Sequence, residues 1–170
     1  MELIRYPDPI LFKKCEEVEI GDPKIGKILD EMSQKLYEWN GAGLAGPQVG
    51  VSKRIAVIDV RDEPSRLYKL INPKIIWRSE ECVDSKEGCL SFPLLRETVA
   101  RHESVVATYL DEDFKEQEIR AEGYLSFCLQ HEIDHLDGIL YIDHLSKLKK
   151  SRFMKKFLKA QENEKKSGFN

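Results

Sequence analysis

His131-Glu132-Ile133-Asp134-His135 is the stretch around which the chain has to organise itself. Histidines one helical turn apart lie about 40° from each other around the axis, so both imidazoles can reach one metal ion if the stretch is helical. Glu132 then stands beside the metal rather than on it, where a carboxylate can take a proton from water that the metal polarises. The neighbours favour the helix. Leu125, Cys128, Leu129, Ile133 and Leu136 recur at helical spacing, Gly123 starts or hinges the segment, and Gly138 stops it. Two histidines in a core or on a surface would satisfy the same string, so the rest of the chain must supply what a metal site needs.

A catalytic site on His131 and His135 requires a third protein ligand and an open position. The downstream choices fail. The position where a third histidine would follow is Tyr141, Glu162 and Glu164 lie in a lysine-rich tail, and His144 is out of step with the pattern. Upstream, Cys89 follows Glu87-Gly88, where glycine lets the backbone turn. A Cys/His/His set with an open position suits zinc or ferrous iron, because thiolate and imidazole serve both. A buried cysteine packing as a small hydrophobe is the competing explanation of Cys89.

The bulk composition narrows the classes. With 170 residues, 41% hydrophobic and 34% charged, the chain can bury one ordinary core and is expected to form one domain over 1–170. The net charge of −3 is unevenly spread. Residues 147–166 hold nine Lys/Arg against two Glu, a net of +7, which leaves −10 on the remainder and argues against DNA or general nucleic-acid binding by the main body. Met1–Pro7 lacks the apolar core of a signal peptide and no apolar run approaches a membrane span, so a cytoplasmic protein with no membrane contact is expected. Cys15, Cys82, Cys89 and Cys128 then read as thiols or metal ligands rather than disulfides.

Along the chain, residues 1–21 read as an irregular arm, because Tyr6-Pro7-Asp8-Pro9 excludes regular helix. Asp22-Pro23 is a helix start, and Ile25, Ile28, Leu29, Met32, Leu36 and Trp39 form an apolar stripe that ends near Asn40-Gly41. Gly41-Ala42-Gly43-Leu44-Ala45-Gly46-Pro47-Gln48 matches the spacing of a dinucleotide loop, but that fingerprint needs a strand before it and a helix after it, and here the order is reversed. It reads instead as a loop whose glycines admit a ligand close to backbone, or as a tight helix-to-strand connection. Strands are expected over 54–60, over 67–72 and 74–77 with a break at Asn72-Pro73, over 99–101 and 103–110, and over 115–121, with 79–86 a polar loop. Ser146 caps a last helix, the basic helix of 147–166, with Leu148, Phe153, Met154, Phe157 and Leu158 as its apolar stripe. That helix either packs on its own domain with a solvated basic face or offers a basic surface to RNA or a ribosome. The expected fold is therefore α+β: short antiparallel or mixed sheets around the central HExxH helix, with an N-terminal and a C-terminal helix.

Three strings taken together, Gly41–Gln48, Glu87-Gly88-Cys89-Leu90-Ser91 and His131–Gly138, resemble in order and spacing the three motifs of peptide deformylase. The likeness extends to Arg5-Tyr6-Pro7-Asp8 and Asn72-Pro73, and the short linkers resemble the compact form of that family with a C-terminal helix. It implies a bacterial-type enzyme that removes the formyl group from N-terminal formylmethionine of nascent chains. Cys89, His131 and His135 would be its metal ligands, Fe(II) its usual ion, and Zn(II), Ni(II) or Co(II) possible substitutes. It further implies Glu132 as the general acid and base, with the Leu90 N–H and the Gln48 amide stabilising the oxyanion. Ala42, Leu125, Phe127 and Cys128 are the candidates for the methionine pocket. The peptide is expected to run beside Gly43 and Gly88 as an added strand, with Arg96 holding it further along. Asp134 should face away from the metal and bond to Arg101. Gly46, Ala42 and Phe92 depart from the family's usual residues, which touches substrate preference. A zincin-type protease and a non-catalytic, metal-stabilised ribosome-binding module are the alternatives.

Overall fold

Asp22 and Pro23 turn the N-terminal arm into α1 (Ile25–Glu38). The computed structural model describes residues 1–166; residues 167–170 of the expected domain lie outside them. The Asp22 side chain accepts from the Lys24 N–H at 2.9 Å and its carbonyl accepts from Ile25 N–H at 3.3 Å, so the helix begins after Lys24 rather than directly at the Asp-Pro pair. Ile25, Leu29, Met32 and Leu36 are buried on one face, as their spacing requires. Asn40 ends the helix with φ 55, a left-handed conformation that asparagine tolerates better than most residues.

Seven strands follow: β1 (Gly43–Ala45), β2 (Ile55–Ile58), β3 (Tyr68–Arg78), β4 (Cys82–Cys89), β5 (Phe92–His102), β6 (Ser104–Leu110) and β7 (Glu116–Glu122). They form a five-stranded sheet of order β1-β2-β3-β6-β7 and a separate ribbon of β4 and β5. Every ladder is antiparallel, the first of the two expected alternatives; the parallel contact among the described residues is an isolated bridge, Glu16 to Lys53. β2 is buried on both faces: Ile55 and Val57 pack with α1, and Ile58 packs on the other side with α2 (Gly123–Leu136). That strand therefore reads as continuously apolar rather than alternating.

The sequence expectation fails at three places. Of the expected loop 79–86, only 79–81 connect strands; from Cys82 onward β4 pairs with β5, Cys82↔His102 through Gly88↔Arg96. Its fully buried positions are Ser85 and Glu87, with Val83 and Cys89 half-buried on the same face, so the inward face carries little hydrophobic signal. The expected break at Asn72-Pro73 is a bulge inside one strand, with Asn72 at φ 51 and its side chain bonded in both directions to Val18. In α3 (Lys147–Lys166), Phe153 and Phe157 are buried but Leu148 and Leu158 are 62% and 52% exposed, which narrows the apolar stripe. The buried pair joins Phe92, Tyr141 and Tyr6 in an aromatic cluster that fastens α3 to the ribbon.

Candidate metal centre

α2 and the β4–β5 ribbon bring three soft or borderline donors together. One ligand atom each from Cys89, His131 and His135 lies within 4.8 Å of the others, the one such group among the described residues. Cys89 ends β4, and the two histidines project one turn apart from α2, their ring centroids 4.9 Å apart. His135 Nε2 is 3.3 Å from Cys89 Sγ. Burial opposes ionisation of the Cys89 thiol, but the charge and hydrogen bonds of His135 and His131 outweigh it and bring the thiol down to about 5. A thiolate is thus the form to expect beside the two imidazoles, and thiolate is what a metal binds.

The surroundings orient these donors. His131 Nδ1 lies 2.8 Å from Glu87 Oε2, which directs the ring's Nε2 toward the cluster. Burial would raise the Glu87 carboxyl; its bonds to His131 and Arg101 win and hold it at about 2. Arg101, 3% exposed, donates to Glu87 at 2.7 and 3.1 Å and to Asp134 at 2.6 Å. The Arg101–Asp134 bond is the one expected from the sequence. His144 joins it, with Nε2 2.7 Å from Asp134. Sequence reasoning assigned no role to Glu87 as the partner of His131, 44 residues away, or to His144, which reaches Asp134 because the chain turns back after α2.

Beside the donors, Glu132 is 3% exposed and its Oε2 has no hydrogen-bond partner among the described residues; His135 Nδ1 is likewise unpartnered. Burial drives the Glu132 carboxyl up to about 7 against the opposing pull of His131 and His135. Buried, unpartnered polar groups beside a thiol and two imidazoles fit a site built for a cation and the water it polarises. Gly43 makes this placement possible. A Cβ there would lie 2.2 Å from Glu132 Oε1, so the glycine admits the chain's own carboxylate against the backbone. The expected ligand-approach loop is in fact the edge strand β1 followed by a 3-10 turn over Gly46–Val49. Gln48, in that turn, accepts from Ala45 N–H at 2.9 Å and donates to Ser91 Oγ at 3.2 Å and Cys89 Sγ at 3.5 Å, which points its amide nitrogen at the cluster. Leu90 occupies the turn between the paired residues Cys89 and Phe92.

A cleft of about 1080 Å³ opens over this centre. Ala42, Gly43, Gly88, Arg96, Phe127 and Cys128 line it, as expected. Leu125 does not: it packs against the core formed by Ile58, Leu70 and Ile119. Two residues along a helix are about 200° apart, so Phe127 and Leu125 cannot share a face, and the cleft-facing row is Tyr124, Phe127, Cys128 and His131. Tyr124 was absent from the sequence candidates, although the same spacing marks it. Phe92 is 1% exposed and belongs chiefly to the aromatic cluster beneath α3. Gly46 sits where a Cβ would meet the Val51 carbonyl oxygen at 2.7 Å, so the departure from the common alanine suits this backbone.

The polypeptide deformylase family model matches residues 1–151. A peptide deformylase of Thermodesulfovibrio yellowstonii is 47% identical over 159 residues, covering 92% of this chain and 96% of the relative. One from Methylocella silvestris is 45% identical over 163 residues, covering 93% and 83%. The crystal structure of peptide deformylase from Ehrlichia chaffeensis superposes with a TM-score of 0.90 at 38% identity, covering 96% of this chain and 98% of that one. Neither a zincin-type protease nor a non-catalytic binding module is favoured by these matches, and the third donor of the cluster lies upstream of the histidines rather than downstream.

Proposed function

The chain belongs to the polypeptide deformylase family, and from that membership we propose how its own residues divide the work of the family's reaction. The enzyme hydrolyses the formyl group from formylmethionine at the N-terminus of new polypeptides and releases formate. It is metal-dependent. The observation that carries the assignment of roles is the convergence of Cys89, His131 and His135 beside a buried, unpartnered Glu132 carboxylate.

Cys89, His131 and His135 hold the metal. Bound there, a divalent ion supplies a Lewis acid that polarises water and the formyl oxygen. Glu132 Oε2 takes the proton of the attacking water and returns it to the amide nitrogen as the C–N bond breaks, leaving formate and a free amine. The Gln48 amide N–H and the Leu90 backbone N–H face the oxygen on which negative charge develops; removing one donor of this kind costs on the order of 10²–10³ in rate. The methionine side chain enters between Ala42, Phe127 and Cys128. The peptide backbone lies along β1 at Gly43 and along Gly88, with Arg96 further out, a strand added to an open sheet edge.

Fe(II) is the ion we assign, with Zn(II), Ni(II) and Co(II) able to replace it, because a thiolate with two imidazoles serves all of them. We take the chain as one domain over its described residues, 1–166, and its basic helix α3, with Leu148 and Leu158 exposed among lysines, is the surface we assign to the ribosome. A nascent-chain substrate calls for a cytoplasm of bacterial type, and no described helix is long and apolar enough to cross a membrane. The test is formate release from a formyl-Met tripeptide by anaerobically purified protein of measured metal content. Rapid release with stoichiometric iron agrees with the reading. Metal-loaded protein that releases no formate refutes it.

A further inference from the structure

Outside α3 the chain carries a net charge of −10, yet the exposed charged side chains that line the cleft are all cations: Arg5, Arg61, Lys86 and Arg96. The carboxylates that line it, Asp59, Glu87 and Glu132, are each buried. Asp59 is already saturated by Tyr37, Ser65 and the Arg61 N–H, and Glu87 by Arg101 and His131. Elsewhere cations such as Lys53, Arg54, Lys69 and Arg101 sit in ion pairs. None of the four rim cations does so among the described residues.

Each rim cation is tied to a segment of the reaction site. Arg61 donates to Asn40 Oδ1 at 2.7 Å and to the Gly41 carbonyl at 3.1 Å, both neutral, just before β1. Arg96 lies opposite Gly88, and Lys86 stands two residues from Gly88 on the same face of the ribbon. Arg5 is brought to the cleft because its neighbours are pinned, Ile4 N–H to the Gln48 carbonyl and Tyr6 N–H to the Ser91 carbonyl. An extended peptide advances about 3.3 Å per residue, so the side chains that follow a buried formylmethionine emerge within about 10 Å of it, at this rim.

We propose that Arg5, Arg61, Lys86 and Arg96 make the cleft mouth select nascent chains with acidic side chains in the first few residues after formylmethionine. This rests on the deformylase reading and adds a specificity to it. The experiment compares kcat/KM for formate release from formyl-Met-Ala-X-X amides, with X as Asp, Ala or Lys; the amide removes any contribution from a terminal carboxylate. An exposed pair is worth roughly two- to fivefold, so two engaged pairs against two repelled ones give an Asp-to-Lys ratio of about tenfold or more at low ionic strength, carried mainly by KM. The ratio should shrink toward unity in about 0.5 M salt, where screening reaches within a few ångströms. In a double variant, R5E with K86E, the ratio should fall by about fivefold or more. Each ratio is taken on one preparation, so it does not depend on how much of that preparation is folded; K86Q alone, with a fall of about twofold, serves if the double variant is insoluble. An Asp-to-Lys ratio near one at low salt overturns the proposal, as does a preference that survives high salt or the charge reversals. Failure to release formate even from the Ala peptide would instead sink the deformylase reading.

Discussion

Gly43 and Glu132 occupy space that only one of them can fill with a side chain. An added Cβ at residue 43 would sit 2.2 Å from the carboxylate oxygen, so the Glu132 side chain would have to swing away from β1. Gly43→Ala is therefore expected to displace the proposed base and lower kcat by about a hundredfold or more, the scale of a lost general base, while circular dichroism still reports a folded chain. Glu87 acts through another residue: it holds His131 by Nδ1 and is itself held by Arg101. Glu87→Gln should weaken metal binding by about 10–100-fold, read by competition with a chelator, with a much smaller effect on the rate of the metal-saturated enzyme. The HExxH string and the cysteine were legible because a helix fixes the separation of two histidines and because few other residues could complete the set. Glu87 was not, since its partner is on α2 and only the packing of the ribbon against the helix joins them.

At the scale of elements, the strands with one apolar face or a continuous apolar run were readable, as in β2 and β6. β4 was not, because the side chains it fully buries are Ser85 and Glu87, chosen for the site rather than for the core. α3 shows the opposite error. Its apolar residues look like a single stripe in sequence, but only those that reach the aromatic cluster around Phe92 are buried. Phe157, 1% exposed against Tyr6, Phe92 and Phe153, is the fastening point. Phe157→Ala should cost about 3–5 kcal/mol and lower the melting temperature by roughly 10 °C, measured by calorimetry on the metal-loaded protein.

For the whole molecule, the ion network behind the metal centre links pH to stability. The Glu87 carboxyl falls from 4.5 to about 2 on folding, and Asp134 is also lowered, by His144 and Arg101 against the effect of burial. A lowered carboxylate stabilises the fold above its unfolded value and loses that contribution as pH falls through the folded one. Glu87 alone is worth on the order of 3 kcal/mol at neutral pH. Unfolding midpoints in denaturant should therefore drop between pH 4.5 and about 2, and Glu87→Gln should flatten that slope. Glu132 acts in the other direction. Burial raises it to about 7, so ionising it opposes folding increasingly as pH rises from 4.5, a burden that a bound cation relieves.

The most direct test of the account is a paired measurement on Glu132→Gln: metal content and formate release from a formyl-Met tripeptide, each against the unmodified protein. The account expects the variant to keep stoichiometric metal, since Cys89, His131 and His135 are untouched, and to lose turnover by about 10²–10⁴-fold. Turnover within a few fold of the unmodified protein, with metal still bound, would contradict the role given to Glu132 and with it the mechanism.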